Sequence, residues 1–103
     1  MGSYVINTIK ILTLNPGESE LQVKEIDNTL KEFQSIVGGY IEVVNIGNNC
    51  VIICNEEGKI LNLKPNILFG NDVIVGTIIF SKFNDEGEFI SLDDEDIEFI
   101  KSI

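Results

Sequence analysis

The clearest candidates for chemistry are two neighbouring carboxylates and a lysine in the sequence NEEGK. Glu56 and Glu57 stand before Gly58, and Lys59 follows directly. A carboxylate pair that performs acid–base catalysis has its two groups opposed across a cleft. Neighbouring carboxylates on a turn point apart and stay hydrated. We therefore interpret this segment as an exposed turn, in which Lys59 could still contact a ligand.

A second group of acids lies near the carboxyl end, where Asp93, Asp94 and Asp96 belong to the run DDED. An EF-hand loop needs oxygen ligands at alternating positions and a glycine at the sixth, and this run lacks that glycine. Carboxylates in the first turn of a helix complement the helix dipole, so the run predicts a helix N-terminus. Residues 85–98 contain eight of the 17 acids, and this end could also imitate a row of phosphates.

The composition narrows the function further. The chain has seven lysines, no arginine, no histidine and a formal net charge of −10. Nucleic acids and acidic membranes require basic side chains, so neither is an expected direct partner. A positively charged protein, or a site that normally accepts DNA or RNA, is compatible with this charge. Without histidine and arginine the usual general base, metal ligand and phosphate clamp are missing, so we expect no enzyme, metal or cofactor.

Cys50 and Cys54 are the two cysteines. On one strand their Cα atoms would be about 13 Å apart. A disulfide requires about 4.4–6.8 Å, so they are not expected to pair. Reduced core thiols, the lack of a signal peptide and the lack of a long apolar run predict a cytoplasmic protein with no membrane span.

Residues 25–59 organise the elements that must position these groups. Four apolar residues share one face of a predicted helix: Leu30, Phe33, Ile36 and Val37. Asp27 or Asn28 is expected to cap this helix, and the glycine pair that follows it is expected to end it. Residues 40–46 and 50–55 then form two strands joined by a hairpin turn.

Further strands are predicted from β-branched runs and alternation at residues 4–14, 20–26, 59–63, 73–82 and 88–90. Gly58 is expected to adopt a positive φ, and Gly76 to mark a bulge or a close packing contact. Residues 64–72 are expected to form a loop. Ser91 or Asp93 should cap a final helix that reaches residue 103 and turns Ile97 and Ile100 inward. The sequence therefore predicts one α+β domain over residues 1–103, with an antiparallel or mixed sheet of five to six strands and two helices on one face.

Three aromatic residues near loops, Tyr40, Phe69 and Phe83, could stack on a base, although packing in or beside the core is the commoner role of such residues. Asn62 and Asn66 could supply polar contacts to such a ligand together with Lys59.

Four segments in this order resemble the DUF3846 family: EIDNTLKEFQSIVGGYIE, ICNEEGKILNLKPN, IVGT and EGEFISL. The chain departs from the family pattern at Ile67, where relatives often carry an arginine. The resemblance implies a small soluble protein without an assigned activity, encoded mainly by phages, prophages and conjugative elements. The composition also resembles that of low-GC Firmicutes and their phages.

Two functions follow as expectations. The first is a non-enzymatic anti-defence inhibitor that binds and blocks a host protein, such as a nuclease or other defence effector, by acidic mimicry of nucleic acid. The alternative is a sponge that sequesters a nucleotide immune signal in a pocket of a homo-oligomer. A hydrolase is a weaker third reading, because no nucleophile–base pair is visible.

Overall fold

A computed structural model of the protein describes residues 7–103. The elements follow in the order β1 (Thr8–Leu14), β2 (Gln22–Asp27), α1 (Leu30–Val37), β3 (Ile41–Gly47), β4 (Cys50–Asn55), β5 (Pro65–Phe69), β6 (Asp72–Val75), β7 (Ile78–Phe83), β8 (Phe89–Ile90) and α2 (Asp94–Ser102). The α+β class predicted from the sequence is confirmed. Neither helix of the described chain has the length and apolar character needed to cross a membrane.

Six strands form one antiparallel sheet with the order β2-β1-β7-β4-β3, and β8 adds a short pairing to β7. The first strand was predicted over residues 4–14; its described part begins at Thr8, and residues 4–6 lie outside the described residues. It pairs with β2 on one side and with β7 on the other, and β7 is the central strand of the sheet. β5 and β6 form a separate two-stranded hairpin.

Both faces of the sheet are apolar, and each is covered by one helix. On β4, Val51 and Ile53 belong to the core cluster that contains α1, whereas Ile52 belongs to the cluster that contains Ile100 of α2. Successive side chains of β4 therefore alternate between the two faces of the sheet. The two helices lie on opposite faces, which corrects the expectation of a shared face. Because the central strands are apolar on both sides, one covered face would leave the other exposed to water.

The N-cap of the first helix lies one residue after Asn28 and two residues after Asp27, the two predicted caps. Thr29 is its N-cap, and its Oγ1 accepts a hydrogen bond from the backbone N–H of Glu32 at 3.1 Å. Asp27 is still the last residue of β2, and the Asn28 side chain donates to the carbonyl of Phe89 at 2.9 Å. Both predicted caps are therefore engaged elsewhere. Gly38 ends the helix in the left-handed conformation, as predicted.

Only part of the predicted apolar stripe of α1 is inside. Phe33 and Val37 are buried, and Phe33 meets Phe89 edge-on with ring centroids 5.0 Å apart. Leu30 is 57% exposed, so it does not contribute to the core.

The largest departure from the sequence prediction lies between β4 and β7. Residues 59–63 form turns rather than a strand, with the N–H of Leu61 bonded to the carbonyl of Glu57 at 2.9 Å. Residues 64–72 are not a loop, because Pro65–Phe69 pairs with Asp72–Val75. The single strand predicted over residues 73–82 breaks at Gly76. Residues 56–77 thus form a compact excursion from the sheet, which we call the lobe.

Two glycines of the lobe allow neighbouring side chains to pack where a Cβ atom would not fit. A Cβ on Gly58 would lie 2.7 Å from Val75 Cγ2, and a Cβ on Gly76 would lie 2.8 Å from Leu63 Cδ1. The close contact predicted at Gly76 is confirmed. The positive φ predicted at Gly58 is wrong; in the turns over residues 56–62, Asn62 adopts that conformation instead, with φ of 56°.

Candidate functional site

The acidic run begins a helix, as its composition predicted. Asp93 is the N-cap of α2, and its Oδ1 accepts the backbone N–H of Asp96 at 2.9 Å. In return, Oδ2 of Asp96 accepts the backbone N–H of Asp93 at 2.9 Å, which completes a capping box. The backbone N–H of Asp96 lowers the pKa of the Asp93 carboxyl below its ordinary value.

Asp96 has a second, structural task. Its carboxylate is nearly buried and accepts a hydrogen bond from Lys82 Nζ at 3.0 Å. This bond raises the pKa of Lys82. The Cys50 thiol lies 4.0 Å from the other carboxylate oxygen, and burial raises the pKa of that thiol. Asp96 therefore ties α2 to the sheet and is not available to a partner.

The remaining acids of this end differ from Asp93 and Asp96 in having no contact with a lysine within residues 7–103. Six acids in residues 85–98 form no salt bridge within the described part of the chain, and all are exposed: Asp85, Glu86, Glu88, Asp94, Glu95 and Glu98. We call residues 84–98 the acidic end. Its only cationic partner among residues 7–103 is Lys82, which contacts Asp96 and, at 3.9 Å, Asp93. The acidic end thus presents a concentrated negative charge on a fixed scaffold.

The acidic end lies beside the turn of the β3–β4 hairpin. Lys82 pairs with Cys50 at the start of β4, and the N–H of Phe83 donates to the carbonyl of Asn49 at 3.0 Å. Asn48 and Asn49 form that turn with positive φ angles of 55° and 61°, as expected of a tight hairpin. The lobe begins at the opposite end of β4, after Asn55.

The lobe brings together two segments that are separate candidates for ligand contact in the sequence. Lys59 of NEEGK forms an ion pair with Asp72 at the end of KPNILFGND. The pair raises the pKa of Lys59 and lowers that of Asp72, and both side chains remain largely exposed. Glu56 and Cys54 line a small cavity of about 160 Å³ beside it. Burial raises the pKa of the Cys54 thiol to about 11, so this thiol stays protonated.

The two asparagines predicted as ligand contacts act within the fold. The Asn66 side chain donates to the carbonyls of Leu14 at 2.9 Å and Gly76 at 2.7 Å, and so ties β5 to the end of β1. Asn62 is exposed and supplies the left-handed residue of its turn.

The three aromatics predicted to stack on a base lie in different places. Tyr40 is 66% exposed and lines a depression of about 200 Å³ together with Glu57 and Leu61. Phe69 faces a larger groove. Phe83 packs against the core cluster on the α1 side of the sheet. The structure therefore does not assemble them into one pocket.

The larger groove was not foreseen. It has a volume of about 640 Å³ and is walled by the β5–β6 hairpin, the end of α2 and the β1–β2 connection. Its lining is mainly apolar: Leu14, Leu21, Ile67, Leu68, Phe69, Phe80, Ile100 and Ile103, with Ser19, Glu20 and Lys101 as polar members. A loop over residues 64–72 would not form this groove, because the outer wall of the groove is the hairpin that those residues form.

Within residues 7–103, no group of three or more acids or cysteines is arranged to hold a metal ion. The fold and its surfaces define a small acidic α+β protein with an exposed anionic helix start and an apolar groove. The chain belongs to the DUF3846 family, whose model, described as a domain of unknown function, matches residues 9–102. No curated protein and no solved structure matches the chain at a significant level.

Proposed function

We propose that this protein is a non-enzymatic inhibitor of the phage or mobile-element type, which docks its acidic end on a positively charged surface of a host protein. A defence nuclease or effector is the class of target that this charge fits. The observation that carries the proposal is the group of six exposed acids without an internal salt bridge in residues 85–98.

The acidic end is suited to mimicry because its charges are held in place. Asp94 and Glu98 are four residues apart on α2, so their Cβ atoms lie about 5–6 Å from each other on one face. The capping box and the bond between Lys82 and Asp96 fix the start of the helix. A groove that normally binds phosphates would meet a pre-ordered row of carboxylates, at a low entropic cost on binding.

The first experiment is a pull-down of the tagged protein from a low-GC Firmicute host, with identification of the proteins and small molecules retained. The proposal predicts one stoichiometric protein partner whose association rate falls steeply with salt. Binding that does not respond to salt would refute mimicry.

A matched pair of variants then tests which surface binds the partner. Replacing Asp94 by Asn, and Glu95 and Glu98 by Gln, removes three negative charges from the acidic end. Changing Glu18, Glu20 and Glu25 to Gln removes the same charge from exposed positions near β2. We expect the first triple variant to lose at least about tenfold in association rate and the second to stay near wild type. Equal loss in both would show that only net charge matters.

The nucleotide sponge is a second proposal, favoured by the groove that contains Phe69. Its volume of about 640 Å³ falls within the range of about 300–1,000 Å³ typical of small-molecule sites. Lys101 is the cation at its wall. Calorimetry with a panel of cyclic nucleotides tests this proposal, with Phe69→Ala as the variant that should abolish any heat. No heat from the panel would remove the support for it.

A further inference from the structure

The two edges of the main sheet differ in how well they are protected. β2 carries the charges of Lys24, Glu25 and Asp27, which discourage another strand from pairing with it. β3 has the sequence IEVVNIG, with Glu42 as its one charged residue. Val43 in the middle of β3 is 47% exposed. No other element of residues 7–103 pairs with the outer side of β3.

The hydrogen bonds of the β3–β4 hairpin show which backbone groups of β3 face outward. Tyr40 accepts a bond from the N–H of Glu56 at 2.8 Å. Bonded and non-bonded pairs alternate along an antiparallel ladder, so Glu42 and Val44 also bond to β4. The N–H and C=O groups of residues 41, 43 and 45 therefore point away from β4.

The surroundings of this edge are apolar. Four further exposed hydrophobic residues adjoin it: Tyr40, Ile60, Leu61 and Val73. Tyr40 and Leu61 line the same depression, and Ile60 and Val73 line the small cavity beside Glu42. Monomeric proteins rarely leave clustered apolar surface in water beside an open strand edge.

We propose that β3 pairs with β3 of a second copy of this chain, antiparallel and centred on Val43. A twofold axis perpendicular to the sheet then sets Val43 opposite Val43 of the second copy, and Ile41 opposite Asn45 of the second copy. These are the residues whose backbone groups face outward, so each opposed pair can exchange two hydrogen bonds. The result is one continuous sheet across both copies.

The charges favour this arrangement over other self-pairings. Glu42 lies opposite Val44 of the second copy, so no like charges oppose each other on the joined strands. The acidic end lies at the turn of the β3–β4 hairpin. Antiparallel pairing therefore places the two acidic ends at opposite ends of the dimer. Since each copy still has a net charge of −10, salt should strengthen this association.

Sedimentation of the full chain over a range of concentrations and salt tests the proposal. Val43→Lys brings two lysines face to face at the centre of the interface. Val23→Lys makes the same change on the β2 edge, where Val23 is 58% exposed. We expect wild type and Val23→Lys to dimerise, and Val43→Lys to be a monomer with an unchanged circular dichroism spectrum. Wild type that stays monomeric in high salt would overturn the proposal, as would equal behaviour of the two variants.

Amide exchange of the wild type gives a second measurement that does not depend on a variant. The amides of Ile41, Val43 and Asn45 should become protected as concentration rises, whereas those of Glu42 and Val44 should be protected throughout. Concentration-independent exchange at Val43 would contradict the pairing. The result is separable from host-protein binding, because salt should strengthen the dimer and weaken the host complex.

Discussion

Replacing Asp96 by alanine should lower the stability of the fold far more than replacing an exposed acid of the acidic end. The Asp96 side chain is 10% exposed, and its two strongest hydrogen bonds come from Lys82 Nζ at 3.0 Å and from the backbone N–H of Asp93 at 2.9 Å. Hydrogen bonds to a charged group contribute about 1.5–3 kcal/mol each. The Lys82 side chain is 22% exposed and can recover part of its hydration. We therefore expect a loss of about 2–4 kcal/mol in the free energy of unfolding.

Urea unfolding monitored by far-ultraviolet circular dichroism measures this loss. A decrease of this size corresponds to about 10–20 °C in Tm for a domain near 100 residues. The control is Asp94→Ala, at an exposed position in the same turn. It should cost only about 0.3–1 kcal/mol through the helix dipole.

The reasoning would be wrong if Asp96→Ala and Asp94→Ala unfolded within about 0.5 kcal/mol of each other. A double-mutant cycle with Lys82→Ala then identifies the source of the loss. Because Lys82 and Asp96 contact each other directly, the cycle should return a coupling free energy above about 1 kcal/mol. A coupling near zero would assign the effect to the capping box alone.

Four further predictions follow from packing and ionisation. Gly76→Ala should cost clearly more stability than Gly87→Ala: both glycines have positive φ, but the new methyl group at residue 76 would lie 2.8 Å from a leucine side chain, whereas residue 87 has nothing within 4 Å. We expect about 1–3 kcal/mol of strain at either site and an additional loss at Gly76 alone, measured by urea unfolding. The Cys54 thiol, with its pKa raised to about 11, should react with a thiol reagent at pH 8 far more slowly in the folded protein than in urea, and rapid labelling of the native state would contradict its burial. The pKa of Asp93 is lowered in the folded state, so its contribution is present above about pH 4 and is lost as pH falls through the folded value; Asp93→Asn should therefore flatten the acid limb of stability against pH. The pKa of Lys82 is raised in the folded state, so its contribution to stability persists up to about pH 10 and is lost as pH rises through the folded value. Lys82→Met should therefore remove this loss of stability from the alkaline limb.

Elements whose structural determinants lie close together in the sequence could be predicted from it. Gly38 ends α1 because it adopts a left-handed conformation that depends on the local backbone alone. Cys50–Asn55 was placed correctly because its alternation repeats within six residues, next to a two-asparagine turn. Asp93 begins α2 through a bond to a residue three positions away. Each of these signals is complete within one short stretch of chain.

The lobe could not be predicted in the same way, because its determinants are distant in sequence. Gly58 is required by contact with Val75, so its reason for being glycine is not visible in the turn that contains it. Pro65 and Gly70 suggest a loop, and β5 becomes a strand only because Asp72–Val75 is available as its pairing partner. The bond from Asn66 to the carbonyl of Leu14 spans 52 residues. The groove depends on all of these contacts, so it emerges only from the folded chain.

The two proposed surfaces impose opposite requirements on charge, and their separation along β3 and β4 reconciles them. A dimer of two chains that each carry −10 is stable only if the acids stay apart. Pairing through Val43 meets this requirement, because antiparallel strands direct the two hairpin turns, and the acidic ends beside them, away from each other. The acidic end in turn gains from dimerisation, since two copies present two anionic helix starts to a partner that is itself an oligomer. Such bivalent binding would raise avidity without any new contact in either site. The Val43→Lys variant should therefore weaken binding to an oligomeric target while leaving binding to a monomeric one unchanged, although Val43 lies outside the acidic end.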